Sequence, residues 1–139
     1  EKGIASLVEA AEMLSDVSGI KFLIAGDGPM RGYVERRCST NLIMLGNLSA
    51  SDIAALLLTA DAFCLPTRSE GFSTSLLEAA ACSVTPILPK LEVEELITSE
   101  DFGIVLRTTE PEEVMSAVRS LYDNRFIRGC VPLISMREF

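Results

Sequence analysis

The sequence contains no histidine and no tryptophan, and its 12 basic residues are outnumbered by 20 acidic ones. Without histidine there is no general base for a Ser–His–Asp triad, and a common zinc ligand is missing. The formal net charge of −8 argues against nucleic-acid binding, which needs a basic face to neutralise phosphates. It also provides no polybasic membrane patch. The four cysteines, Cys38, Cys64, Cys82 and Cys130, form no C-x-x-C pair, so a zinc site is not expected. Cys64 and Cys82 lie in apolar stretches and read as buried small hydrophobes, a pattern that fits a reducing, cytoplasmic setting. No D-x-D pair is present to hold a metal–diphosphate complex, and Glu92-x-Glu94 is a poor substitute. Apolar runs fall far short of the roughly 20 residues needed to span a bilayer. The opening Glu1–Lys2–Gly3 is not a signal peptide and lacks an initiator methionine, so the chain is expected to be a segment of something longer or a processed product.

What is present is an ordinary globular composition, 48% hydrophobic and 23% charged over 139 residues, enough for one compact domain or part of a larger one. Helical and strand-like segments alternate. Ile4, Leu7, Val8, Ala11 and Leu14 repeat at helical spacing. Ile20–Ala25, Asn41–Leu45, Asp61–Leu65, Val84–Leu88 and Gly103–Leu106 read as strands. Pro86 must sit where the ladder needs no donor. Helices are expected from Met30 to about Cys38, after a cap at Ser49 or Ser51, after Gly71 to about Cys82, from Glu92 to Ile97, and after Pro111. From Asp123 the pattern weakens. Pro132 rules out a helix there, and residues 123–139 are expected to form an irregular tail or to pack on something absent. The class is α/β with a mostly parallel sheet. Ligands in such sheets bind at the carboxyl ends of the strands, where Gly26, Gly28, Gly46 and Gly71 all fall.

Function concentrates in Thr67–Glu78, a strand exit leading through Gly71 and small hydroxyl residues into an alanine-rich helix. The first amides of a helix have no internal partner and carry partial positive charge, so such a turn binds anions. Glu70 and Glu78 bracket it. Helical side chains tilt back toward the helix start, so Glu78 can aim a carboxylate at a ligand roughly 8 Å away over the N-terminus. Two accepted hydrogen bonds suit a ribose diol. Equally, Glu78 can be a solvent-facing helix residue and Glu70 a favourable charge near the dipole; residue chemistry leaves the two readings even. Gly26–Asp27–Gly28–Pro29 reads as a strand-to-helix turn sooner than a phosphate loop, because it lacks the G-x-G-x-x-G spacing. Lys2 is a candidate phosphate partner, and Arg68 reads as a surface charge.

In this order the pieces resemble the donor-binding, C-terminal domain of retaining group 1 glycosyltransferases of the GT-B fold. They are Lys2–Gly3, Phe22–Pro29, Ile43–Leu48, Ala60–Pro66, Ser69–Phe72 and Leu77–Cys82, the last closing an E-x7-E spacing from Glu70 to Glu78. The resemblance covers residues 2 to about 122, which it implies are a Rossmann-like nucleotide-sugar-binding domain, one half of a GT-B fold. It implies hexosyl transfer from a nucleoside diphosphate sugar to an acceptor, with retention and without a metal or other cofactor. Glu70 would be catalytic and contact the sugar hydroxyls, and Glu78 would hold the ribose. Amides near Ser73, Thr74 and Ser75 would take the diphosphate, with Lys2 neutralising it. Gly26 would border the donor, and Asn47–Leu48 would pack against the base. Amides and a lysine aimed at the leaving diphosphate stabilise the transition state.

Two departures qualify this. The paired glycines usual after the fourth strand are replaced by Leu91–Glu92–Val93–Glu94–Glu95, where a leucine and a carboxylate would crowd or repel a diphosphate. The glycine usual after Cys82 is replaced by Ser83 or Val84. In the family a strand ending in arginine also precedes Lys2, central in a 3-2-1-4-5-6 sheet. This chain is expected to lack it, leaving an empty slot with unpaired backbone groups between Ile20–Ala25 and Asp61–Leu65. Upstream sequence, or a strand from another chain, is expected to fill it. The acceptor-binding domain is expected to be missing too, along with any peripheral membrane contact through it, leaving the isolated chain inactive. The competing reading is a non-catalytic partner domain, degenerate at the donor site. A nucleotide-sugar epimerase or a phosphorylase is a third, the latter opposed by the lack of a suitably placed lysine for pyridoxal phosphate.

Overall fold

A computed structural model describes residues 3–67, 74–90 and 103–124, together with the backbone of a strand at Leu133–Glu138. Eleven elements follow in the order α1 (Ile4–Met13), β1 (Lys21–Gly26), α2 (Arg31–Glu35), β2 (Leu42–Gly46), α3 (Ala50–Thr59), β3 (Ala62–Cys64), α4 (Thr74–Ala81), β4 (Thr85–Pro89), β5 (Ile104–Leu106), α5 (Pro111–Asp123) and β6 (Leu133–Glu138) among the described residues. The strands form one six-stranded sheet ordered β2-β1-β6-β3-β4-β5. Every recorded pairing is parallel. The fold is α/β with a parallel sheet flanked by helices, as the alternating pattern predicts.

Local choices follow from side-chain type. The predicted apolar stripe of α1 is buried, with Leu7, Val8, Ala10 and Ala11 fully enclosed. Central strands are buried on both faces, β3 along its whole length. The edge strand β2 alternates, leaving Ile43 and Leu45 partly exposed, as expected where only one face is covered. Ser49 is the N-cap of α3: its Oγ accepts from the Asp52 amide at 3.2 Å. Helix α2 ends sooner than the expected Cys38, after five residues.

Pro86 sits in an interior strand, and the register explains how it is tolerated. The Ile87 carbonyl accepts from the Leu65 amide at 3.1 Å, so Ile87 faces β3 and Pro86 turns its backbone toward the β5 side. There β5 begins only at Ile104, which pairs with Ile87. The missing donor therefore falls beyond the end of the ladder. Gly103 fills that space, since a Cβ on it would lie 2.3 Å from the Pro86 carbonyl oxygen.

The main correction concerns the tail. The slot between β1 and β3 is not empty. Residues 133–138 of the same chain occupy it as β6, hydrogen-bonded to both neighbours. The tail beyond Asp123 is thus not irregular throughout: its residues 133–138 pair with β1 on one side and β3 on the other. The physical reason is the one that made an empty slot costly: two facing strand edges with unpaired donors and acceptors attract any extended segment within reach. Pro132 excludes a helix but not a strand beginning after it.

Candidate functional site

Because the strands run parallel, their carboxyl ends share one edge of the sheet. Gly26 closes β1 with φ 117° and Gly46 closes β2 with φ 70°, conformations open to glycine at little cost. Between β1 and β2 the register runs from Phe22 opposite Leu42 to Ala25 opposite Gly46. That places Gly26 and the following Asn47–Leu48 at neighbouring strand ends. Asn47 is exposed, whereas Leu48 is half-buried against the core.

The turn after β1 is held from within. The Gly28 amide donates to Asp27 Oδ1 at 2.9 Å. Arg31 reaches back to Asp27 Oδ2 at 3.2 Å and forward to Glu35 Oε1 at 2.7 Å. These carboxylates, Glu35 first, push the Arg31 guanidinium further toward its charged form. A carboxylate already facing the Gly28 amide matches a structural turn, the reading the sequence favours.

Across β6 lies the other half of the site. The chain leaves β3 through Leu65, Pro66 and Thr67, all buried. The Thr67 amide turns back to the Leu65 carbonyl at 2.8 Å. Helix α4 then starts at Thr74, which is exposed. Ser75 follows at 2% exposure, and its Oγ has no hydrogen-bond partner among the described residues. A buried hydroxyl without a partner is uncommon and costly. Glu78, half-buried, lies three residues on, so both side chains share one face of α4 with Cβ atoms about 5–6 Å apart. Leu76 and Ala79 fasten the helix to the core. An orphaned hydroxyl at a helix N-terminus and a carboxylate one turn along suit a ligand with an anionic group and adjacent hydroxyls. Lys2, Glu70 and Ser73 lie outside the described residues, as do Arg68 and Leu91–Glu95.

Sequence reasoning passes over one feature of the same edge. A cavity of about 380 Å³ opens over the ends of β3, β4 and β5, with Thr67, Lys90, Arg107, Thr109 and Glu110 among its lining residues. Lys90 and Arg107 each directly follow a strand, which is the available signal. The Arg107 amide donates to Glu113 Oε1 at 3.0 Å, fixing the start of α5 beneath it. Cys64 in β3 is fully enclosed, and burial pushes its thiol well above the ordinary range. Cys82 is only half-buried and Cys38 is exposed. Among the described residues no group of His, Cys, Asp and Glu gathers to hold a metal ion.

Comparison with known proteins decides the frame. Residues 1–124 match the family described as glycosyl transferases, group 1. The chain belongs to this family. It is 30% identical over 132 residues to the N,N'-diacetylbacillosaminyl-diphospho-undecaprenol alpha-1,3-N-acetylgalactosaminyltransferase of Campylobacter jejuni, covering 91% of this chain and 34% of that one. It is 30% identical over 125 residues to the GDP-mannose-dependent alpha-(1-6)-phosphatidylinositol dimannoside mannosyltransferase of Mycobacterium tuberculosis, covering 87% and 32%. With the 2-deoxystreptamine N-acetyl-D-glucosaminyltransferase of Niallia circulans it shares 36% over 94 residues, covering 63% and 24%. The chain therefore spans about a third or less of the length of these relatives. None of its described helices is long and apolar enough to cross a membrane.

Proposed function

We propose that this domain is the donor-binding half of a retaining GT-B glycosyltransferase, holding a nucleoside diphosphate sugar at the carboxyl edge of its sheet. The observation that carries the reading is the α4 N-terminus, where the buried, unpartnered Ser75 hydroxyl shares a face with Glu78. The diphosphate takes the first amides of α4 and the Ser75 hydroxyl, and Lys2 neutralises it. Glu78 accepts from the ribose hydroxyls. The base lies toward Gly26, Asn47 and Leu48, across the sheet centre. Two strand spacings, about 9.6 Å, separate β1 from β3, a span a nucleotide bridges. Glu70 contacts the hexosyl group being transferred. The reading requires no metal, since amides, a hydroxyl and a lysine stabilise the charge that develops on the leaving diphosphate. The acceptor, and any contact with a membrane surface, belongs to a second domain, and the protein works in the cytoplasm.

Calorimetric titration with a panel of nucleoside diphosphates tests this. One relative is named for GDP-mannose, so GDP is the first probe, with UDP as the comparison base. Binding that Glu78→Ala weakens at least about tenfold, the worth of one hydrogen bond to a charged group, supports the reading. The replacement of paired glycines by Leu91–Glu92 favours a second reading, a degenerate partner domain. Absence of binding to any nucleotide by a protein that also carries the acceptor domain would establish that one instead.

A further inference from the structure

Along its carboxyl edge the sheet runs β2-β1-β6-β3-β4-β5. The donor-binding reading uses part of that edge, with the base toward the ends of β1 and β2 and the ribose and diphosphate at α4, after β3. A nucleoside diphosphate sugar is built in the same order: base, ribose, diphosphate, sugar. Its last unit therefore falls beyond β3, over the ends of β4 and β5, where the cavity of about 380 Å³ opens. That volume is near the small end for ligand sites, a size for one sugar unit and not for a whole nucleotide sugar.

The chemistry of this cavity is polar and charged. Thr67 and Thr109 are buried in its lining, while Lys90, Arg107 and Glu110 are exposed. Strand register brings the two cations together. Pro89 of β4 pairs with Leu106 of β5, so Lys90 and Arg107, the next residues, leave the sheet side by side at a strand spacing of about 4.8 Å. Like charges facing each other across neighbouring strands repel, and an anion between them reverses the sign. Arg31, Arg37 and Arg119 each hold a carboxylate, whereas the Arg107 guanidinium pairs with none among the described residues. Glu113 is turned to the Arg107 backbone amide instead.

The charge balance selects the kind of anion. Glu110 offsets one of the two cations, so the lining carries a single net positive charge in a chain of formal net charge −8. A carboxylate matches it. A phosphate monoester, at about −1.5 to −2, exceeds it. The arginine fork pairs a planar carboxylate through two parallel hydrogen bonds. The threonine hydroxyls and the Glu110 carboxylate suit the hydroxyls of a sugar ring.

We propose that this cavity receives the carboxylate of an acidic sugar, and that the unit transferred is a hexuronosyl group. The link to the nucleotide rests on the donor-binding reading; the preference of the cavity for a sugar acid does not. Two titrations of the whole chain and of its Arg107→Met variant test it. In the first, glucuronate and glucose are added while the amide NMR signals of Thr67, Lys90, Arg107 and Thr109 are followed. Glucuronate should shift them and glucose should not, and Arg107→Met should weaken the response about tenfold, the worth of a hydrogen bond to a charged group. The variant keeps the backbone amide that Glu113 holds, so it should fold as the original does. In the second, UDP-glucuronate should bind about tenfold more tightly than UDP-glucose, a preference that Arg107→Met abolishes. The proposal is overturned by equal shifts from glucose and glucuronate, by an unchanged response in Arg107→Met, or by measurable but equal affinity for the two nucleotide sugars. It also falls if glucuronate causes no shift up to about 50 mM, well above the millimolar range expected of so small a ligand. Binding of GDP or UDP without any response to glucuronate leaves the donor-binding reading standing and removes this one. A glucuronate response in a protein that also carries the acceptor domain yet binds no nucleotide keeps the acidic-sugar cavity and removes the donor-binding reading.

Discussion

Gly3 lies against Pro66 so closely that a Cβ on Gly3 would sit 1.9 Å from the Pro66 carbonyl oxygen. The start of α1 is thereby fixed to the exit of β3, 63 positions along the chain by their numbers. Two requirements meet at this glycine: the close approach and a left-handed backbone with φ 69°. Gly46 shares the second without the first, having φ 70° and open space within 4 Å of where a Cβ would stand. Gly46→Ala should therefore cost only the conformational term, about 1 kcal/mol, in urea unfolding. Gly3→Ala should cost about 2–4 kcal/mol, because α1 or the β3 exit must also move. Equal losses for the two variants would show that the Pro66 contact yields without cost.

Asn41 gives a prediction from polar burial. It is 4% exposed. Its Nδ2 donates to the Ala11 carbonyl at 2.8 Å, and its Oδ1 accepts from Ser39 Oγ at 2.6 Å. The side chain joins the end of α1 to the start of β2. Asn41→Ala should destabilise by about 1–3 kcal/mol through the loss of both hydrogen bonds, which leaves the Ala11 carbonyl only its bond from the Leu14 amide at 3.2 Å. Asn41→Leu should not recover the loss, since it fills the volume without a donor. Chemical denaturation of both variants checks this.

The thiols should separate by location. Cys38 is exposed and Cys64 buried, and desolvation disfavours the Cys64 thiolate. In the folded protein a thiol reagent should label Cys38 promptly and Cys64 only on unfolding. Raising the folded-state value also has a sign. Below the ordinary thiol value of 9.0 neither state ionises at Cys64, and its contribution to stability is fully present. Above it the unfolded chain loses the proton while the folded chain keeps it, so stability falls as pH rises. Cys64→Ala should flatten that alkaline decline, read as urea midpoints between about pH 8 and 10.

Much of this domain is legible from local pattern. The α1 stripe, the buried strands, the Ser49 cap and the donor-free setting of Pro86 follow from spacing, burial and hydrogen-bonding capacity, which sequence carries directly. Strand β6 is not legible in that way, because Leu133–Met136 is a short apolar run after a proline, and such runs have no distinctive period. What places it is a long-range need, the gap between β1 and β3. The expected gap is itself the signal, and the chain's own tail is the occupant that local pattern does not suggest for it. At the site, the shared face of Ser75 and Glu78 follows from their spacing of three. The burial of the Ser75 hydroxyl does not, since it depends on how α4 packs against β4. Lys90 and Arg107 escape a reading of the sequence because strand ends far apart in the chain become neighbours only once the sheet order is known.

Ser75 separates a structural hydroxyl from a ligand-binding one. In the free protein its Oγ is buried without a described partner, so deleting it removes an uncompensated polar group. Ser75→Ala should leave the urea midpoint unchanged or raise it, against the usual tendency of buried substitutions to destabilise. Under the proposed function the same hydroxyl donates to a diphosphate oxygen. Its loss should then weaken nucleoside diphosphate binding about tenfold, as expected for a hydrogen bond to a charged group. Ser75→Thr, which keeps the hydroxyl but adds a methyl to an enclosed site, should lose stability through overpacking. Stability held or gained together with affinity lost is the signature of a group kept for its ligand. Stability lost in Ser75→Ala with affinity intact would mean that the hydroxyl serves the fold, and would remove the principal support for placing the diphosphate at α4.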